Sequence, residues 1–396
     1  MKAKTLIVFT LLAIVLLSMF ACGGGDETRP TPMPSPSLAV APNTIGTSTD
    51  DYATLRPAQR KTFYASGRYW VFYADGSNMV YRTSENGTSW SSATTVRPCT
   101  WGHRFDTWFD GTYVHYAYTP DNPGGALVYR RGTPNGDGTI TWSAVEQTIY
   151  QTDAHTICNP SVVADTNGNP WVMFLRYDGT NRRPYVTKSS ATDGTWLDAK
   201  GFPYELDATI SGFYHTTIVP LTGSKVYCVW ADADTKYFGK LWDGSCWSSR
   251  ETISSSDNFT CYRRSVVNDG DDVHLAFLTK TDYDIVYVKR TYGSGWSSEV
   301  VLASSIGAGS APVLAITNSG TLYCFWCVSN HIHYRKCVGS TWDVGATDWI
   351  TEAEGFPAGD TLTCSYRDNK DSVIGVAYMS GSSSPYNIKF AGLETQ

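Results

Sequence analysis

The sequence predicts an all-β fold: a seven-bladed β-propeller of four-stranded antiparallel blades, closed by an N-terminal strand. Three observations carry this. Aromatic residues make up 14% of the 396 positions and charged residues only 17%, with 35 glycines. That mix suits short strands joined by tight turns and suits helices poorly. Trp90, Trp142, Trp196, Trp247, Trp296 and Trp342 recur at intervals of 46 to 54 residues, each behind a glycine-bearing turn. A period near fifty that carries strand patterns marks a repeat architecture. Within each interval the apolar stretches also follow one order.

A leading strand opens the unit, as in NPSVVAD, YHTTIVP and RRSVVND. A more apolar strand follows a turn, as in GRYWVFYAD, GNPWVMFLRYDG and GTLYCFWCV. The third strand reads NMVYRTS, ALVYRRG, DIVYVKR or HIHYRKC, and the stretch after each tryptophan supplies a fourth. Alternating β-branched and aromatic residues bounded by Gly, Asp and Asn are the pattern of short antiparallel strands. A seventh unit, DSVIGVAYMSG followed by SPYNIKFAG, lacks the tryptophan and the fourth strand. The segment between Thr44 and Leu55 is the expected donor of that strand, which closes the ring and leaves only short edges. The alternative is a six-bladed ring in which the first and last partial units merge.

Ahead of the repeats, Lys2 and Lys4 precede an apolar run from Leu6 to Phe20, then Ala21 and Cys22. A charged start, a short apolar core and a small residue make a secretory signal over residues 1–21. The stretch resembles the lipobox of bacterial lipoproteins, with Met19 where leucine is commoner. The resemblance implies that Cys22 is the lipidated first residue of the mature chain, at a cell-surface or periplasm-facing membrane. Residues 22–43 are then the lipidated cysteine and a Pro-rich tether, and 44–396 the propeller. No later apolar run reaches the ~20 residues that span a bilayer. The net charge of −6 argues against nucleic acid as a partner, because phosphate binding needs a cationic surface. Export permits disulfides, but nine cysteines remain after Cys22. Cys324 and Cys327 lie in one strand, LYCFWCV, where their side chains point to opposite faces. Buried thiols are expected there rather than a zinc knuckle. The chain is expected to be a monomer without metal or cofactor.

The octet TSENGTSW (83–90) resembles the Asp-box of bacterial sialidase-type repeats, Ser/Thr-x-Asp-x-Gly-x-Thr-Trp, with Thr83, Glu85, Gly87, Ser89 and Trp90 on the pattern. Glu85 replaces the aspartate. Later copies keep mainly the glycine and the tryptophan. The resemblance implies a turn between third and fourth strands, on the face opposite the substrate site. A carboxylate would cap backbone amides there, glycine would take a positive φ, and tryptophan would pack into the blade.

Chemistry is expected at the other end, where each inner strand begins. Those positions are Arg60-Lys61, His103-Arg104, Asn159, Tyr214-His215, Tyr262-Arg263-Arg264, Ala311-Pro312 and Thr361, with His155 just ahead of Asn159. The set is cationic, aromatic and imidazole-bearing in an acidic chain. Sialidase chemistry needs a third arginine that Ala311 and Thr361 do not supply. Paired carboxylates for glycoside hydrolysis are not evident. A lyase acting on uronic-acid polysaccharides fits better: a cation neutralises the carboxylate, a base removes the adjacent proton, and an acid protonates the leaving oxygen. Propellers related to the resembled repeats include such lyases. His215 is the expected base with His155 as alternate, and Tyr214 or Tyr262 the acid. Arg263 and Arg104 are the carboxylate clamp, and His103, Asn159 and Arg264 are further binding residues. The alternatives are a lectin, since KLWDGSCW and YRKCVGSTW are similar to propeller lectins that bind sugars between blades, and a non-catalytic surface scaffold.

Overall fold

The alternation of apolar and polar residues produces strands throughout the chain. The structure, a computed structural model, describes residues 38–54, 56–209, 215–232, 235–259, 262–369 and 371–395. The expected signal segment, Cys22, the greater part of the tether and Tyr214 lie outside these residues. Seven separate antiparallel sheets form. The inner strands of blades 1 to 7 are Thr62–Ala65, Phe105–Phe109, Thr156–Ala164, Thr216–Pro220, Arg264–Asp269, Val313–Ile316 and Thr363–Cys364. The first and last partial units are distinct sheets, so the ring has seven blades and not six.

Each blade buries a face against its neighbour. One apolar cluster joins blades 1 and 2 through Phe63, Phe72, Phe105 and Tyr116. Others join blades 5 and 6 through Leu278, Leu302, Leu314 and Trp326, and blades 6 and 7 through Phe325, Ile332, Ile374 and Val376. Cys324 belongs to the first of these two clusters and Cys327 to the second, on opposite faces of one strand. The eight described cysteines are all unpaired, and only Cys246 is exposed.

Ring closure differs from expectation in its register. The donated strand is Leu38–Ser48, pairing with Tyr386–Glu394 from Leu38↔Leu393 to Ser48↔Tyr386. It starts six residues before Thr44 because Val40, like Ile45, reaches the cluster shared by blades 7 and 1. Pro42 is tolerated because the strand is an edge and its register shifts between Val40 and Asn43. Ser48 Oγ ends the strand, accepting from the Asp50 N–H at 2.9 Å and donating to Ala74 O at 2.8 Å. The chain then crosses to the mouth of the ring.

The octet at 83–90 is a turn, as expected, but its cap is a different residue. Asn86 Oδ1 accepts from the N–H groups of Thr88 and Ser89, both at 2.9 Å. Glu85 instead pairs with Arg68 at 2.5 Å and is 72% exposed. Later copies keep that arrangement: Asp137, Asp193 and Asp243, each immediately before a glycine, accept from the N–H two residues on. The capping side chain therefore stands one place before the glycine, whereas the Asp-box pattern has it two places before. The tryptophans also reach further than expected. Trp90, Trp196, Trp247, Trp296 and Trp342 pack on Phe390, Tyr129, Trp171, Tyr227 and Tyr287 of the preceding blade.

Phe390 is fully buried where the ring closes, between Trp90 and Tyr69, with ring centroids 4.9 and 5.0 Å away. Phe390→Ala is expected to cost about 3–5 kcal/mol, read as a lowered midpoint in denaturant unfolding with native-like secondary structure at zero denaturant. An unchanged midpoint would show that closure does not rest on this seam.

Candidate functional site

The crossing segment after Ser48 lies over the start of the inner strands. Thr54 Oγ1 donates to Thr361 O at 2.6 Å, and Arg56 N–H to Asp360 O at 3.3 Å. These bonds hold Arg56 at the mouth with φ of +84°, a strained conformation for a non-glycine residue that must be sustained by its surroundings. Its guanidinium lies against both ring nitrogens of His215, 2.7 Å from Nδ1. A guanidinium can only donate, so the imidazole nitrogen it engages is the unprotonated one.

Tyr262 gathers the remaining groups. Its ring centre lies 4.9 Å from the Arg56 guanidinium carbon, 5.6 Å from that of Arg263, and 5.2 Å from the His215 ring, which meets it edge-on. Arg263 also donates to Ser310 O at 3.3 Å and stands 3.5 Å from the Asp360 carboxylate. Burial raises the Asp360 carboxyl above its usual range, against the opposing charges of Arg263 and Arg56. Burial, reinforced by the charges of Arg56 and Arg264, pushes the His215 imidazole well below its ordinary value. His215 is therefore a neutral imidazole at neutral pH.

His103 and Arg104 occupy a short 3-10 turn, Gly102–Arg104, just before the inner strand of blade 2. Burial lowers His103 to about 4, opposed by its interaction with Asp121. The 3.6 Å approach of His103 to Asp121 therefore joins a neutral ring to a carboxylate at neutral pH. Asp121 itself titrates below its usual range: burial alone would raise it, but the His103 interaction and the charges of Arg56 and Arg104 prevail. Asp50, on the crossing segment, is held at about 6 by burial, although the Tyr52 and Gly102 N–H groups bond its oxygens.

The structure thus brings His215, Tyr262 and Arg263 together, with His103 near enough that a proton on it would disfavour one on His215. The other expected residues stand apart. Arg104 stacks on the exposed Trp101 at 4.5 Å. Arg264 is fully buried beneath His215, donating to His215 O at 2.7 Å and Thr217 Oγ1 at 3.1 Å. It supports the His215 backbone from within the packing. Asn159 sits in a bulge between Cys158 and Ser161 with φ of +53°, its carbonyl accepting from the Thr216 hydroxyl at 2.7 Å. His155 is half-buried on a loop tied to Gly124. Arg60 and Lys61 are buried: Arg60 stacks on Trp108 and donates to Val266 O, and Lys61 donates to Phe105 O.

Arg56 is the residue that the sequence did not reveal. It lies outside the repeats, directly after the Thr44–Leu55 segment expected to donate the closing strand. The one local signal is the following Pro57, which disfavours helical backbone at the residue before it.

No protein-family profile and no curated protein matches the chain. Solved structures do. An ulvan lyase, described as a polysaccharide lyase of a new family, superimposes with a TM-score of 0.53 at 12% identity, over 91% of this chain and 96% of its own. An ulvan lyase bound to GlcA(1-4)Rha3S gives 0.51 at 11% identity with the same coverage. AofleA from Arthrobotrys oligospora gives 0.51 at 12%, over 79% of this chain and 90% of its own. At these identities the likeness is one of fold.

The buried histidines set a pH dependence. His103 and His274 are both held at about 4 by burial, and His215 is also depressed. The unfolded chain, with histidine near 6.5, binds more protons than the folded one below that pH. Stability is therefore complete above pH ~6.5 and is lost as pH falls toward ~4. His103→Gln is expected to shrink that loss by roughly 2–3 kcal/mol in urea unfolding at pH 7 against pH 4.5. An unaltered pH slope would mean that His103 is not held neutral by the fold.

Proposed function

We propose that the protein is an exported, glycan-active propeller, a lyase that cleaves uronic-acid-containing polysaccharides by β-elimination. The observation that carries this reading is the placement of two guanidinium groups and a neutral imidazole around the single ring of Tyr262. Arg56 and Arg263 receive the uronate carboxylate. Their charges stabilise the carbanion-like species that forms when the C5 proton leaves. His215 takes that proton, the C5–H electron pair becomes a C4–C5 double bond, and the C4–O bond breaks. Tyr262 delivers a proton to the departing oxygen, with Tyr214 as alternate acid and His155 as alternate base. In the free protein Arg56 occupies the lone pair of His215. A bound carboxylate draws the Arg56 donors to itself and leaves the imidazole open to the substrate proton. Arg104, stacked on the exposed Trp101, meets a neighbouring sugar. The bound GlcA(1-4)Rha3S of the ulvan lyase that shares the fold contains a uronate, the chemistry that paired guanidinium groups suit.

A lectin is the second reading, and a recurrent polar cluster favours it. Glu251 is gripped by Arg290 at 2.8 and 2.9 Å and by the Tyr227 hydroxyl at 3.0 Å, beside Trp296. Glu146 with Arg97 and Tyr116, Glu205 with Arg183 and Tyr185, and Glu352 with Lys389 and Tyr378 repeat the theme. It ranks second because each carboxylate is already held by a cation and a tyrosine, which a sugar would have to displace.

Incubation with a panel of uronate polysaccharides is expected to raise the ultraviolet absorbance of unsaturated products, and His215→Ala to lower turnover by about 100-fold or more. Flat traces together with binding on a glycan array would establish the lectin, and full turnover by the His215 variant would overturn its role as base.

We further propose that Cys22 carries a lipid anchor. Cys22→Ala is expected to abolish fatty-acid labelling and to release the protein from the membrane fraction. Continued labelling would refute the assignment.

A further inference from the structure

Buried positive charge gathers where the chain enters blade 1. Arg60 is 7% exposed and Lys61 is fully buried; the carboxylate buried beside them is that of Asp106. Burial pulls the Lys61 ammonium down to about 7, so this side chain sheds part of its charge. An arginine stays charged under such conditions. Asp106 spends both oxygens on backbone N–H groups, 2.5 Å from Arg60 N and 2.9 Å from Val162 N. It does not reach the Arg60 guanidinium.

That guanidinium stacks on Trp108, 4.5 Å from the ring centre, and donates through Nη2 to Val266 O at 3.2 Å. Its Nη1 is buried with no hydrogen-bond partner among the described residues. Arg60 lines a cavity on the axis, together with Gln59, Ser265, Thr363, Cys364 and Tyr366, where the inner strands of blades 5, 6 and 7 meet the start of blade 1. The cavity leaves about 10 Å³ for the centre of a water-sized particle. That is room for a single water or ion of similar radius and not for sulfate or an organic acid. The lining supplies no counter-charge of its own. Burial raises the Cys364 thiol and the Tyr366 hydroxyl well above neutrality, so both stay protonated. Their hydrogens are committed to Leu314 O and Phe109 O.

We propose that this cavity is a binding site for one small monovalent anion of chloride size, held by Arg60 Nη1. A water would satisfy the open donor but put no counter-charge in contact with the guanidinium, whereas a halide answers both needs and makes no directional demand. The anion neutralises the point where three inner strands meet the start of blade 1 and so binds the folded ring and not the unfolded chain.

Crystals of the unmodified protein soaked in sodium bromide test the site directly. An anomalous peak in the axial cavity against Arg60 Nη1 is expected. Signal confined to the surface, or an axial site with no anomalous signal, would overturn the proposal in favour of water. In solution, the thermal midpoint at fixed ionic strength is expected to rise saturably by a few degrees as chloride or bromide replaces gluconate. Arg60→Met is expected to abolish that rise. Equal midpoints of the unmodified protein in halide and gluconate would also overturn the proposal, whether or not the variant folds.

Discussion

The backbone pairing of Leu38–Ser48 with Tyr386–Glu394 is the constraint on which the molecule depends. Six blades can each form from contiguous chain, but the seventh has only three strands until the N-terminal segment joins it. Without that strand the last blade presents an open edge and the shared cluster of blades 7 and 1 loses Val40 and Ile45. Side chains reinforce the seam. Asn43 donates to Gly87 O at 2.9 Å and to Phe390 O at 3.3 Å, and accepts from Trp90 Nε1 at 3.1 Å. The octet at 83–90 is therefore a lock on ring closure as well as a turn. Gly87 is required there for a second reason beyond its φ of +77°. A Cβ at this position would stand 2.9 Å from Val40 Cγ2.

Much of this fold was legible in the sequence because it repeats. Strand order, blade count and the turn before each tryptophan follow from a pattern present six times, so that local ambiguity averages out. Two features depart from the reading of the sequence, each for its own reason. The closing strand occurs once, contains Pro42 and is bulged, so neither alternation nor a second copy marks its start. The capping residue was assigned to Glu85 by likeness to a pattern from other chains, although Asn86, Asp137, Asp193 and Asp243 form their own consistent column. Comparison within the chain was the better guide.

The site was legible in part for the same reason. His215, Tyr262 and Arg263 were found because the repeats set the position at which each inner strand begins. Arg264 was placed among them by adjacency alone. On a strand, neighbouring side chains face opposite ways, and it faces into the packing beneath His215. Arg56 was invisible because it belongs to a connection and not to a repeat, and connections carry no register. Its importance comes from tertiary contacts: a carbonyl from blade 7 holds its backbone, an imidazole from blade 4 meets its side chain, and the Tyr262 ring lies beside it.

The route of the chain from Ser48 to Thr62 has a mechanical consequence. The closing strand runs antiparallel to its partner, so a force drawn along it from Leu38 loads the rungs in shear, all at once, instead of unzipping them one by one. The segment just beyond the last rung is the one that holds Arg56 against His215. Strain that passed the seam would load the bonds of Ser48, Asp50 and Thr54 in turn before it reached that contact.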